Sequence, residues 1–258
     1  MSGALAGRGA VVTGGGRGIG AATARALAAE GATVLVAART AAEVERVAGE
    51  LRASGAGAHA FACDVTLESG VAALAAEARR RLGHVDLVVG SAGGAVSAPF
   101  EKLTLAAWNE AFAIHATAAF LCARAFIPEM AARGWGRVVH VASIAGLEGG
   151  QYIAHYAASK HALVGLTRAL AAEYRDRGVM VNAVCPGYVD TVLTARAIEN
   201  VSARTGLSRE RAQAAMLATT GQERLIRPEE VAGEIVKLCR AEGLTGQAVV
   251  IAAGAGAR

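Results

Sequence analysis

Tyr156 and Lys160 stand four positions apart in Tyr156-Ala-Ala-Ser-Lys160, and Ser143 precedes them at the end of the apolar run Val138-Val-His-Val-Ala. On a helix, an i, i+4 pair shares one face, so this phenol and ammonium point into the same space. A free phenol, with a pKa of about 10, exchanges protons poorly at pH 7. A nearby positive charge stabilises the phenolate and brings it toward the working range. A serine hydroxyl in the same cleft adds a hydrogen bond to a reacting oxygen. The trio is a candidate for acid–base chemistry at a carbonyl or alcohol. Alone, a Tyr/Lys pair at this spacing is common on exposed helices, so its meaning depends on what accompanies it.

What accompanies it is a glycine turn. Ala10-Val-Val-Thr13 leads into Gly14-Gly-Gly-Arg17-Gly18-Ile19-Gly20 and then into a helical pattern. Between a first strand and a helix, such a turn lets backbone N–H groups approach a pyrophosphate at the positive helix N-terminus. An acid ending the second strand would hold the adenosine ribose hydroxyls and repel a 2′-phosphate. Here Val36-Ala-Ala-Arg39-Thr40 puts Ala38 at that place and Arg39 next to it. A guanidinium clamps phosphate through two hydrogen bonds, and Arg17 adds a second charge, so NADP(H) is expected over NAD(H).

The spacing Thr13-Gly14-x-x-x-Gly18-Ile19-Gly20 resembles the TGxxxGIG of the short-chain dehydrogenase/reductase family. Ser143, Tyr156-x-x-x-Lys160 and Pro186-Gly187-x-x-x-Thr191 extend the resemblance over nearly the whole chain. Val181-Asn-Ala-Val-Cys-Pro-Gly187 and Tyr156-Ala-Ala-Ser-Lys-His-Ala162 look similar to bacterial 3-oxoacyl and polyketide ketoreductases. The resemblance implies hydride transfer between a nicotinamide and a ketone or secondary alcohol. Tyr156 is then the proton donor or acceptor, Ser143 the substrate hydrogen-bonder, and Lys160 the group that tunes Tyr156 and holds the nicotinamide ribose. It also implies that Asp64 and Val65 meet the adenine and that Ala92 and Gly93 allow close backbone approach. Pro186 and Gly187 would meet the cofactor, and the Val189 backbone and Thr191 hydroxyl would orient the nicotinamide carboxamide. Tyr152, just before the helix, is expected to line the substrate pocket rather than to act.

Three positions depart from the family pattern. Its NNAG appears as Gly90-Ser-Ala-Gly93, and its terminal Asp-Gly-Gly as Ala252-Ala-Gly254. The Asn that holds a relay water, after Trp108, appears as His115. Two readings stand side by side: His115 preserves the relay with a pH dependence of its own, or it is a satisfied core histidine paired with His140.

These groups need elements to carry them. Strands are expected at Ala10–Thr13, Thr33–Ala37, His59–Cys63, Leu87–Gly90, Arg137–Ala142, Met180–Val184 and Ala248–Ile251. Helical patterns cover Ile19–Glu30, Ala42–Ala53, Glu68–Leu82, Leu105–Arg133, Tyr156–Arg177 and Pro228–Arg240. The alternation predicts an α/β fold, a Rossmann-like doubly wound parallel sheet of about seven strands with helices on both faces. One domain over 1–258 is expected, interrupted by Thr191–Arg227, which holds helical patterns and no strand. Insertions at this edge of a parallel sheet are where substrate lids sit.

Composition narrows the partners. Hydrophobic residues are 53%, charged 19% and aromatic 4%, with a net charge of +4, which excludes disorder and makes small aliphatic packing the core. No cluster of basic residues interleaved with aromatics suggests nucleic acid. The four cysteines are widely spaced with no metal-ligand pattern, so no metal and a reducing cytoplasm are expected. No signal peptide is apparent, and no uncharged stretch reaches the ~18–20 residues of a membrane span. A small carbonyl or alcohol substrate and a homo-oligomer, dimer or tetramer, are expected. The arginine excess of the lid is open to two readings: attraction of an anionic acyl thioester, or a solvated amphipathic helix pair. Two other functions remain beside the NADP(H) oxidoreductase: a catalytically weak dinucleotide sensor, and an NAD-dependent alcohol, hydroxysteroid or sugar dehydrogenase.

Overall fold

Seven short runs rich in valine and alanine pair into one sheet in the computed structural model, which describes residues 3–254. The strands are β1 (Gly9–Thr13), β2 (Thr33–Ala38), β3 (Ala58–Ala62), β4 (Leu87–Gly90), β5 (Gly136–Val141), β6 (Val179–Pro186) and β7 (Ala248–Ile251). Their order is β3-β2-β1-β4-β5-β6-β7, and every pairing is parallel.

Side chains alternate across the strands, as a period of two requires. Ala10 and Val12 of β1 join one core with α1 (Gly18–Ala29), α2 (Ala41–Ala53) and α9 (Pro228–Arg240). Val11 joins the other, with α3 (Glu68–Leu82), α5 (Ala118–Ala132) and Ala171 of α6 (Ala154–Tyr174). Both faces of the sheet are thus covered, which is why the strands read as near-continuous apolar runs.

One sequence expectation needs correction. Leu105–Arg133 is not one regular helix: α4 (Leu105–Phe112) passes through a π-helical turn, Ala113–Thr117, before α5 begins. Hydrophobic periodicity cannot reveal such a turn, because it inserts one residue without a polar break. The same stretch, Leu105–Ala132, is long and apolar enough by composition to cross a membrane, with mean hydropathy 1.5. Glu110 and Arg124 interrupt it, so it holds no uncharged run of that length. Leu121, Cys122, Phe126, Ile127 and Met130 bury its inner side in the second core, which accounts for the apolarity.

The register aligns the strand ends. Thr13 lies beside Gly90, Gly90 beside His140, and Val141 beside Val184. The loops after β1, β4, β5 and β6 therefore open on one edge, where the strand order reverses between β1 and β4 and where open α/β sheets bind ligands. Thr191–Arg227 leaves from this edge. It carries α7 (Val192–Thr205) and α8 (Arg209–Ala218), and its ends are stitched by a parallel bridge between Val189 and Ile226.

Candidate active site

β5 delivers Ser143 two residues past its last paired position. The hydroxyl accepts from the Ala145 amide at 3.2 Å, capping a short 3-10 turn and fixing the side chain. α6 starts at Ala154, so Tyr156 and Lys160 lie one above the other on its first turns. Lys160 is buried; its Nζ donates to the Val141 carbonyl at 2.8 Å and stands 5.7 Å from the centre of the Tyr156 ring. One donor is thus spent on β5, and two of the three ammonium protons remain for other partners.

Electrostatics differ from the sequence expectation in one respect. The Tyr156 phenol is held above its ordinary pKa, chiefly because burial disfavours the phenolate, while the Ser143 hydroxyl pulls it partly back. Burial also lowers the Lys160 ammonium to about 8. Lost hydration outweighs the charge of a lysine that is itself desolvated and bonded to Val141. In the protein alone the phenol is a protonated donor, poised for addition of a proton to a developing alkoxide.

His115 sits in the π-helical turn, buried, with its ring edge-on to Tyr156 at 5.2 Å between centres and 89° between planes. Nε2 accepts from the Gly94 amide at 3.3 Å, which leaves the proton on Nδ1 to donate to Ser159 Oγ at 2.9 Å. Ser159 in turn donates to the Tyr156 carbonyl at 2.8 Å. Burial, and next the Lys160 charge, depress the imidazole to about 2, so it stays neutral. It is not paired with His140, whose Nδ1 meets Thr167 Oγ1 at 2.9 Å instead.

The glycine turn faces the same edge. Gly14 adopts φ 65°, and a Cβ there would stand 2.6 Å from the Ser91 carbonyl; at Gly20 it would stand 2.2 Å from the Gly14 carbonyl. Only glycine lets the turn, the β4 loop and α1 close on one another. Arg17 opens α1 without a side-chain cap, and no acid occupies the first turn, so the leading amides of that helix have no side-chain acceptor there. This fits a diphosphate. Ile19 packs on the first core, and Thr191 Cγ2 comes within 3.3 Å of where a Gly18 Cβ would be, bringing Pro186–Thr191 opposite the turn.

At the adenosine side, Arg39 is exposed at the end of β2, and Arg17 pairs loosely with Glu43 at 3.5 Å. Asp64 Oδ1 accepts from the Thr66 amide (2.9 Å) and hydroxyl (2.7 Å), which lowers its pKa and fixes its carboxylate beside the buried Val65. Ala92 and Gly93 continue from β4, Gly93 against the His115 ring. Pro186 ends β6, and Gly187 donates to the Ile251 carbonyl at 3.0 Å. Val189 is buried, and the Thr191 hydroxyl caps α7.

Sequence reading overlooked four participants. They are the Val141 carbonyl beneath Lys160, Ser159 between His115 and α6, Arg46, which donates to the Gly16 carbonyl at 3.0 Å, and the buried Gln222. The Tyr156–Lys160 motif contains Ser159, but only the imidazole from the π-turn gives it a partner. Gln222 lies in a segment whose pattern signals nothing. Among the described residues, no three of His, Cys, Asp and Glu gather as a metal site.

Known proteins share this fold. Residues 8–202 match the family model described as short chain dehydrogenase, and the chain belongs to that family. It is 41% identical over 239 residues to cis-4-hydroxycyclohexanecarboxylate dehydrogenase of Sinomonas cyclohexanicum, covering 92% of this chain and 91% of that one. D-beta-hydroxybutyrate dehydrogenase of Rhizobium meliloti is 34% identical over 227 residues, covering 86% and 88%. Among solved structures, a variant of actinorhodin polyketide ketoreductase with NADPH superposes with a TM-score of 0.92, at 34% identity and 99% coverage of both chains. The protein is an NAD(P)-dependent oxidoreductase that interconverts an alcohol and a ketone.

Proposed function

We propose that this chain is an NADP(H)-dependent oxidoreductase of a ketone and its secondary alcohol, with Ser143, Tyr156 and Lys160 as its catalytic residues and 191–227 as a lid on a single domain. The convergence of these three side chains at one sheet edge, with Lys160 anchored on Val141 under the Tyr156 ring, carries the reading. The bound dinucleotide supplies or accepts the hydride. Tyr156 gives its phenolic proton to the oxygen that gains charge as the carbonyl is reduced, and takes it back in oxidation. Ser143 holds the same oxygen, and Lys160 returns positive charge to the phenolate left behind while its spare donors hold the nicotinamide ribose. Arg39 and Arg17 hold the 2′-phosphate, Asp64 and Val65 the adenine.

A ketone on an apolar body, cyclic or a 3-oxoacyl thioester, suits the mouth of the cleft. Val96, Tyr152, Val192 and Leu193 are exposed on the segments that leave this edge. Tyr152 is held at φ 64°, a left-handed backbone that costs a non-glycine residue on the order of 1 kcal/mol, and its carbonyl accepts from the Ala98 amide at 2.9 Å. Three lid arginines are already matched by carboxylates, Arg209 by Glu199 and both Arg224 and Arg227 by Glu230, which weakens the case for anion attraction. A sensor without turnover is disfavoured by a complete Ser/Tyr/Lys set. The test is NADPH oxidation over 3-oxoacyl thioesters, cyclic ketones and quinones. Turnover of one class that Tyr156→Phe lowers by at least a hundredfold supports the reading; turnover unaffected by that change sinks it. Arg39→Ala should weaken NADPH at least tenfold and leave NADH unchanged.

A further inference from the structure

We propose that Gln222 is a positioning residue that holds the Pro186–Thr191 segment in register for the nicotinamide end of the dinucleotide. Gln222 follows α8 and is 6% exposed. Its carboxamide is saturated: Oε1 accepts from the Tyr188 amide at 2.7 Å and from the Thr220 hydroxyl at 2.9 Å, while Nε2 donates to the Tyr188 and Arg224 carbonyls, each at 3.2 Å. A side-chain amide offers two donor hydrogens and one acceptor oxygen with two lone pairs, and here all are used. One side chain therefore grips both backbone groups of Tyr188, as a neighbouring strand would.

The fit is mutual. A Cβ on Gly187 would stand 2.2 Å from Gln222 Oε1, so Gly187 is small because the amide occupies that space. Immediately downstream, Ile226 donates to the Tyr188 carbonyl at 2.9 Å and Asp190 to the Ile226 carbonyl at 2.8 Å. Gln222 is the first clamp of this pairing, and Val189 and Thr191 lie one and three residues beyond it. It touches neither the glycine turn nor the Ser/Tyr/Lys set. It acts through Tyr188, and through Thr220 it ties the far end of the lid to the same segment. The inference rests on the proposed role of Val189 and Thr191 at the carboxamide.

The experiment is calorimetric binding of NADP+ and of 2′-phospho-ADP-ribose, which lacks the nicotinamide, to the wild-type chain, Gln222→Glu and Thr191→Val. Gln222→Glu keeps the shape but turns both donors into acceptors facing two carbonyls, a loss of about tenfold for NADP+. The fragment should bind within twofold of wild type to both variants. Gln222→Met, which keeps the volume without any hydrogen bond, should show the same split if the glutamate variant does not fold. Equal weakening of both ligands, or of neither, in the Gln222 variants overturns the inference. If Thr191→Val still discriminates in that case, the carboxamide reading survives alone; if it too fails to discriminate, both fall.

Discussion

At the scale of single residues, one titration sets the pH behaviour. Lys160 is charged below about 8 and neutral above it. Because kcat/KM for the coenzyme reports the free enzyme, that constant should fall about tenfold per pH unit once the pH passes about 8. A stopped-assay profile from pH 5 to 10 checks this, and a flat profile to pH 10 would sink it. His115 adds no limb of its own, since burial and Lys160 keep it neutral over that whole range. His115→Asn should therefore change the height of the profile without changing its shape. That Tyr156 and Lys160 share one face was readable from spacing, because helical geometry dictates it; Ser143 and the meaning of the trio came from the accompanying motifs. The sign of the Tyr156 shift was not readable, since it depends on how much water the fold removes from the phenol. Nor was the partner of His115: Ser159 and Gly94 reach it only through the π-turn.

The elements test the glycine turn. Gly20→Ala places a methyl 2.2 Å from the Gly14 carbonyl, a backbone atom that cannot rotate away. α1 must then part from β1, which should cost about 2 kcal/mol by overpacking and weaken both nicotinamide coenzymes at least tenfold. Denaturant melts and coenzyme titration measure the two effects; a variant with unchanged stability and binding would contradict the account. Strand and helix order was legible because the five inner strands β2, β1, β4, β5 and β6 are largely buried and all seven alternate with amphipathic runs. The π-turn was illegible because it displaces register without a compositional mark, and Gln222 because a buried amide is recognisable only once its four partners are brought together.

For the molecule as a whole, Leu105 and Phe120 on α4 and α5 are exposed at 74% and 45%, and Leu244 and Val250 at the β7 edge at 39% and 38%. Large apolar side chains exposed on these helices and at the sheet edge suit self-association. Light scattering should give a dimer or tetramer, and Leu105→Glu with Phe120→Glu should halve the mass without loss of secondary structure; a wild-type monomer would count against the assembly. The helix pair and the imidazole beside Tyr156 are joined by the π-turn. A homologue lacking one residue between Ala113 and Thr117 would wind as an unbroken rod, because the wide turn absorbs its extra residue and leaves α4 and α5 facing as before. The outer side chains of both helices would keep their places, while the ring braced on Gly94 would lose the bulge that carries it. The architecture around the phenol therefore hangs on a single extra residue, which the outer surface of the same helix pair does not need.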